Sequence, residues 1–472
     1  MNRRRVLFTV VFSVWISSCS GPGGDVARFE IVERTGLAVD GGGPFKLTSN
    51  PVLEVTTEAF EAESALLGSA RSGGSLVRFR RSTRPAGNGG RLQDMTFERT
   101  DFGSAPGGVQ VPFLATPFCE PPGPCSTSYH ADYVWPKVLR DGSVLMAVTM
   151  GTATGVEAEI FKPRHRLLRF DLDGGLLLNT GIPMAAGAGQ ALVSSLDDGT
   201  LLVSYSELEG QGSKGVSIDL RAEDSGAISS TVTLDTVTID TGGGEVELPT
   251  AITPRVSRLV PLRNGGFLAV GYAGMNRNIE CGSQGVEPPD PGGCGQGISH
   301  AMLVKFDKTG KQLWRRDLGR DFKQPGSYFV DATELSDGSL VATGHIEKRT
   351  GSWLDPDHGA LVTRFSADGA IQRATRFCPC PQFLSGGADV LASNPRPVDI
   401  GDYEVVFRNG LGVTTATRFN AANELIGAAQ MTGQRMQQQF ITTDTGWASF
   451  AWVPTSFGAG GTKLFHHELV AR

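Results

Sequence analysis

The chain is predicted to be all-β: a β-propeller, most simply of seven four-stranded blades, with the last blade closed by the N-terminal strand. Three observations predict it. A strand-turn-strand segment recurs, and a second one follows most copies of it. No stretch carries convincing helical periodicity. A lone four-stranded sheet cannot bury both faces, whereas blades packed round an axis can, and closing the ring removes the open ends.

The first repeat aligns without gaps in LRDGSVLMAV (139–148), LDDGTLLVSY (196–205), LRNGGFLAVG (262–271) and LSDGSLVATG (335–344). Asp-Gly and Asn-Gly supply the positive φ that a two-residue hairpin turn requires. Weaker copies are LTSNPVLEVT (47–56), VDIGDYEVVF (398–407) and TTDTGWASFA (442–451). The second repeat reads LLRFDLDGGLLL (167–178), LVKFDKTGKQLW (303–314) and LVTRFSADGAIQ (361–372). Its variants are SLVRFRRS (75–82), GVSIDLRAEDSGAI (215–228), TATRFNAANELI (415–426) and TKLFHHELV (462–470). Phe79, Phe170, Leu220, Phe306, Phe365, Phe419 and Phe465 anchor seven units, each with strands A to D. Six or eight blades are the alternatives, since the gap between Phe79 and Phe170 has room for another unit. TTEAFEAESALLG (56–68) has some helical character but reads as strand and loop of blade 1. The last repeat stops after its C strand, and VARFEIVER (26–34) is the expected source of the missing D strand.

Topology separates two faces. The A–B and C–D turns lie on one side of the ring, the B–C and D–A connections on the other. The short turns fall on the first side. The insertions 151–165, 281–294 and 347–359 are B–C connections, so the second side is the looped one. Long loops in compact domains are usually functional or disordered.

The N-terminus starts MNRRRVLFTVVFSVWISSCSG: Arg3 to Arg5, then an apolar run over Val6–Ile16, then Ser17 and Ser18 before Cys19. The run is short of the ~20 residues that span a bilayer and suits an export signal. Ile16-Ser17-Ser18-Cys19 resembles the lipobox of bacterial lipoproteins. That resemblance implies a signal peptide over 1–18, lipidation at Cys19, a short tether over 19–25 and a propeller over 26–472. It also implies attachment to the cell envelope. Ser20, which is not Asp, points to the outer membrane. With a D strand starting on the short-turn side, the tether leaves from that face and the looped face points away from the membrane.

Phe306-Asp307-Lys308-Thr309-Gly310-Lys311-Gln312-Leu313-Trp314 resembles the tryptophan-docking motif of quinoprotein dehydrogenase propellers, in which the Trp joins adjacent blades. Ile371 and Leu425 mark where that Trp would fall in other repeats. The resemblance implies a propeller; the calcium ligands and catalytic Asp of that family have no counterpart that can be assigned.

Net charge is −6, and about −9 once the three signal arginines are gone, with no basic run. Nucleic acid is therefore excluded as a partner, because phosphate binding needs clustered Lys and Arg. Cys19 aside, six cysteines remain in close pairs: Cys119 with Cys125, Cys281 with Cys294, Cys378 with Cys380. In an exported chain, local disulfides on the looped face are expected, with Cys378 and Cys380 the most strained pairing. A zinc site is disfavoured by the long stretches between pairs.

No catalytic residue is assigned. GxSxG and HExxH are absent, and the glycine clusters at 41–43, 242–244 and 458–461 lack the GK[ST] of a phosphate loop. Asp355, Asp357 and His358 in WLDPDHG could hold a structural calcium ion, although solvated loop polarity is the plainer reading. Asp197-Asp198-Gly199 reads as a turn, and His466 and His467 point to opposite faces of a strand. The expectation is a non-catalytic, membrane-anchored binding module with no cofactor. Its partner would be an envelope protein or glycan at the looped face. The alternative is an enzyme, a hydrolase or quinoprotein-like oxidoreductase, with its site in the central channel.

Overall fold

The structure is a computed structural model that describes residues 31–35, 45–56, 63–70, 75–85, 91–101, 110–111, 129–132, 137–139, 141–152, 164–171, 175–184, 191–209, 212–240, 249–274, 299–318, 327–348, 357–378, 390–409, 414–431, 435–442, 446–454 and 460–471. These form seven sheets, each a blade. Blade 1 is Glu63–Ala70, Ser75–Pro85, Arg91–Asp101 and Gln110–Val111. In blade 2, Val144–Thr152, Arg164–Phe170 and Leu176–Ile182 follow an inner strand in two pieces, Tyr129–Asp132 and Lys137–Val138. Blade 3 is Leu192–Ser195, Leu201–Glu209, Gly212–Arg221 and Ile228–Asp235. Blade 4 is Pro249–Pro261, Phe267–Gly274, Ser299–Phe306 and Gln312–Asp317, with Val237–Asp240 added beside its first strand.

Blade 5 is Ser327–Glu334, Leu340–Lys348, Asp357–Phe365 and Ile371–Cys378. Blade 6 is Val390–Pro397, Tyr403–Asn409, Thr414–Phe419 and Leu425–Met431. Blade 7 has Arg435–Thr442, Trp447–Pro454 and Gly460–Ala471. Each blade packs against the next, and the inner strand of blade 7 meets that of blade 1, which closes the ring.

An N-terminal strand closes blade 7, but it is Phe45–Thr56 and not 26–34. Ile31–Thr35 lies elsewhere, as a fifth strand parallel to Ile371–Cys378 of blade 5. LTSNPVLEVT is thus one strand and not a weak turn repeat. Pro51 is accommodated because the strand is outermost and its register shifts between Pro51 and Leu53. SLVRFRRS belongs to strand B of blade 1, so Phe79 is not a C-strand anchor; it pairs with Phe97 on strand C. Glu63–Ala70 is a strand, as read.

The short turns are one residue longer than expected. Leu139 N–H donates to Ser143 O and Gly142 N–H to Leu139 O, and the turns after Leu196, Leu262 and Leu335 repeat this. Each is a three-residue loop whose glycine has positive φ, from 80° to 90°. This is a type I turn with a G1 bulge, not a two-residue type I′ turn. The turn carboxylate caps it: Asp141 Oδ1 accepts from Ser143 N–H at 2.9 Å and Asp337 Oδ1 from Ser339 N–H at 2.9 Å.

The cores lie between blades. Phe267 and Ala269 pack with Leu202, Ile218 and Leu220 of blade 3, whereas Leu268 and Val270 pack with Phe329, Leu340 and Phe365 of blade 5. Alternate residues of one strand therefore serve two neighbours, which is why B strands read as unbroken apolar runs. Phe170, Phe306, Phe365 and Phe419 are all fully buried. Burying each contributes roughly 1.5–3 kcal/mol.

The short-turn face carries the inter-blade staples. Arg169, just before Phe170, bonds its own turn through Ser143 Oγ (2.8 Å) and Asp141 (2.7 Å), and reaches Glu223 Oε1 of blade 3 at 2.6 Å. Arg364, before Phe365, repeats this with Ser339 (3.0 Å), Asp337 (2.6 Å) and the carbonyls of Gly401 and Ala421 in blade 6. Lys305, before Phe306, donates to Ala367 O of blade 5 at 2.9 Å. Trp314 Nε1 donates to the same carbonyl at 3.2 Å, while its ring covers Gly369. A Cβ on Gly369 would lie 2.6 Å from that ring. Gly226 and Gly310 are covered in the same way by Thr180 and Val232 of their preceding blades. Arg373, and not Ile371, stands at the Trp314 position in blade 5, because Ile371 pairs with Phe365 as Gln312 pairs with Phe306; Arg373 donates to Ala422 O of blade 6 at 3.1 Å.

These contacts generate two predictions. Gly344 lies opposite an inner-strand bulge, and a Cβ there would collide with Tyr328 O and press on Phe329 Cα; Gly338 has open space but φ of +80°. Gly344→Ala should lower unfolding free energy by more than about 3 kcal/mol, and Gly338→Ala by about 1 kcal/mol, in urea titrations. The second concerns acid. Burial alone would raise the Asp337 carboxyl, but hydrogen bonds from Ser339 and the charge of Arg364 outweigh it and hold the carboxyl below its usual range. A depressed carboxyl contributes stability above its unfolded value of 3.8, lost as pH falls through the lower folded value. Asp337→Asn should therefore have a lower urea midpoint than wild type at pH 7, with the gap closing as pH drops below about 3.5.

Candidate functional site

The inner strands run from the looped face to the short-turn face. Their residues four places before the turn leucine form one level of the channel wall: Arg258 before Leu262, Asp331 before Leu335, and Asn394 before Val398. A register shift, just before this level between Val256 and Arg258 and between Phe329 and Asp331, and around Asn394 between Ser393 and Arg396, aims these side chains differently from a regular strand. Gly271 and Gly344 on the adjoining strands admit the bulges, since a Cβ on either would strike the carbonyl of Arg255 or Tyr328.

These residues join blade to blade. Arg258 Nη1 donates to Asp331 Oδ2 at 2.7 Å. Asp331 Oδ1 accepts from Ala332 N–H at 2.8 Å, and the carboxylate also accepts from the Asn394 backbone N–H. Asn394 O then accepts from Trp447 Nε1 of blade 7 at 3.1 Å. Asn394 has φ of 50°, unusual for a residue with a side chain, and this turns its two backbone groups toward opposite neighbours. Lys137 of blade 2, three blades away from blade 5, exerts its charge on Asp331, so it does so across the channel.

Burial dominates at Asp331 and raises its carboxyl above the usual range, against the pull of Arg258, the Ala332 N–H, Lys137 and the Asn394 N–H. The balance is physical: the Asp331 side chain is 7 % exposed, whereas Arg258 is 42 % exposed and its attraction is weakened by water.

Toward the looped end, Tyr272 and Tyr328 approach at 6.1 Å between ring centroids, and Tyr328 stacks on His345 at 5.2 Å. Arg255 pairs in register with Tyr272 and is exposed. The polar floor thus has an aromatic mouth. Two other buried ion pairs are framework: Asp219 with Arg221, which also holds Gly181 O of blade 2, and Glu404 with Arg396, which lies over Trp447.

None of these channel residues stands out in the sequence. The signal is present in the repeat alignment, four places before the turn leucine, but single Arg, Asp and Asn residues in strands look ordinary. Of the residues that do stand out, Cys19, Cys119, Cys125, Cys281, Cys294, Cys380 and Asp355 lie outside the described residues. Cys378 ends strand D of blade 5 and pairs in register with Thr35. Asp357 and His358 open a strand opposite Lys348 and Glu347. Among the described residues, no group of three His, Cys, Asp or Glu could hold a metal. Asp198 sits in a turn, as read, accepting from Thr200 N–H at 3.0 Å. His467 is buried.

The raised Asp331 carboxyl has a measurable sign. The folded state binds its proton more tightly than the unfolded state, so its contribution to stability declines as pH rises from below 3.8 through the raised value. Asp331→Asn lacks this titration. Wild type should lose unfolding free energy relative to Asp331→Asn as pH rises above about 3.5, the opposite slope to Asp337→Asn.

No family model matches the chain, and no curated protein does. Solved structures resemble it at low identity. The polysaccharide lyase Uly1 has 10% identity and a TM-score of 0.46 over 94% of this chain and 96% of that one. The Nup133 β-propeller domain of Vanderwaltozyma polyspora has 7% identity and a TM-score of 0.43 over 87% and 100%. Puromycin hydrolase has 16% identity and a TM-score of 0.40 over 84% and 51%, so the chain spans about half the length of that enzyme. Likenesses this distant carry no argument about this chain; its own seven sheets make it an all-β propeller.

Proposed function

We propose that this protein is an envelope lipoprotein, tethered through Cys19, whose propeller is a non-catalytic binding module. Its partner, an envelope protein or a glycan, approaches the looped face. The observation that carries this is the asymmetry of the two faces. Staples from Arg169, Lys305, Trp314 and Arg364 occupy the short-turn face and tie it into a framework. The connection 275–298 leaves Gly274 and returns at Ser299 on the opposite face, and 349–356 does so between Lys348 and Asp357. Function on rigid scaffolds usually resides in such connections.

The direction of the tether supports the same arrangement by a different blade from the one expected. Ile31–Thr35 runs parallel to Ile371–Cys378, which starts at the short-turn face. Ile31, the first residue of that strand, therefore lies toward that face, at blade 5. A lipid at Cys19 would hold the short-turn face toward the membrane and leave the looped face free.

The second reading is an enzyme acting in the channel, favoured by one observation, the raised carboxyl of Asp331 beside Arg258. Cross-linked capture from envelopes separates the two. Wild type should retain a partner that a variant lacking 281–294 loses at least tenfold; equal recovery with the variant, at equal thermal midpoint, would count against the looped face. Cys19→Ala should move the protein from the membrane to the soluble fraction.

A further inference from the structure

We propose that the channel wall at Arg258 is the recognition point for a carboxylate-bearing glycan that enters from the looped face. The proposal deepens the binding-module reading and rests on it. Arg258 is fixed at one end only. Its Nη1 is engaged by Asp331, while Nη2 and Nε have no other hydrogen bond among the described residues and the side chain is 42 % exposed. A guanidinium held in this way keeps a fork of donors in a set direction, the geometry that accepts a carboxylate in two parallel bonds. The anchoring carboxylate is itself locked by the Ala332 and Asn394 N–H groups, and it is nearly sealed from water. An incoming anion therefore meets the cation and not the Asp331 oxygens.

The surrounding charge agrees. Lys137 acts on the same point from the opposite wall, and Arg255 is exposed at the mouth, so among the described residues two further cations accompany the Arg258–Asp331 pair. Tyr272 and Tyr328, 6.1 Å apart, stand at the mouth on the same two blades. An aromatic pair on the same two blades as a directed guanidinium, with Tyr328 already backed by His345, suits a sugar ring bearing a carboxylate; an acidic peptide would use the cations alone. The strained φ of Asn394 is consistent with a place where geometry is held for a purpose beyond stability.

The test is calorimetric titration of the full mature chain with trigalacturonate, with neutral galactotriose and with tri-glutamate. Trigalacturonate should bind, weaken with added salt, and lose about tenfold or more in affinity in Arg258→Gln. Lys137→Gln and Tyr328→Leu should each weaken it by about threefold or more. Thermal midpoints identify a variant that fails to fold; if Arg258→Gln does, Lys137→Gln and Arg255→Gln carry the test. The proposal is overturned if wild type does not bind trigalacturonate, if galactotriose binds equally, if tri-glutamate binds and trigalacturonate does not, or if folded variants bind as wild type does. Loss of envelope partners without loss of trigalacturonate binding would sink only the looped-face partner reading. The reverse result would sink only the channel site.

Discussion

The structure depends on a close approach between blades on one face: the outer strands of blades 2, 3 and 4 lie over the turn glycines of blades 3, 4 and 5. Trp314 covers Gly369, Thr180 covers Gly226 and Val232 covers Gly310. Only a residue without Cβ both adopts the required φ and leaves space for the neighbour. Around these contacts Arg169, Lys305 and Arg364, each preceding a C-strand aromatic, reach the following blade. Arg169 and Arg364 do so while bonded to an Asp-Gly-Ser turn of their own blade. The pairing is chemical. Blade 4 has Asn-Gly-Gly in the turn and Lys305 before the aromatic, with no turn carboxylate for an arginine to join. Blade 3 has Asp219 at the cation position and uses Arg221, two residues on, to reach back to Gly181 of blade 2.

This arrangement distributes burden between the faces. Among the described residues, turn chemistry, staples and the positive φ of glycine concentrate on the short-turn side. The channel lies between, and its inner strands are bulged where Arg258, Asp331 and Asn394 meet. Asn423, with φ of 62°, takes the place of the turn glycine in blade 6, the only one of the three-residue C–D turns among the described residues to do without glycine there.

Much of the fold was legible because its signals are local. A glycine obliged to adopt positive φ recurs at a fixed offset from a buried aromatic, and strands packed on both faces read as apolar runs. The closing strand was not legible in the same way. Residues 26–34 and 47–56 both carry strand-like patterns, and the choice between them is made by a partner beyond position 460. Thr48-Ser49-Asn50-Pro51 looks like a turn in isolation, yet an outermost strand with a bulge tolerates all four. The channel site was hidden for a different reason. Its chemistry arises from three residues on three blades at equal height, which only the ring brings within hydrogen-bonding distance.

The N-terminal segment is clamped twice, first along blade 5 and then along blade 7. A pull applied before Ile31 from the short-turn side acts along the strand axis, against the five register pairs from Ile31 with Ala374 to Thr35 with Cys378. These share the force in shear and must yield together, whereas a peeling load would open them in succession. Phe45–Thr56, which completes the ring, lies behind that clamp and is shielded from the load. The fold thereby separates the strand that resists traction from the strand that closes the propeller.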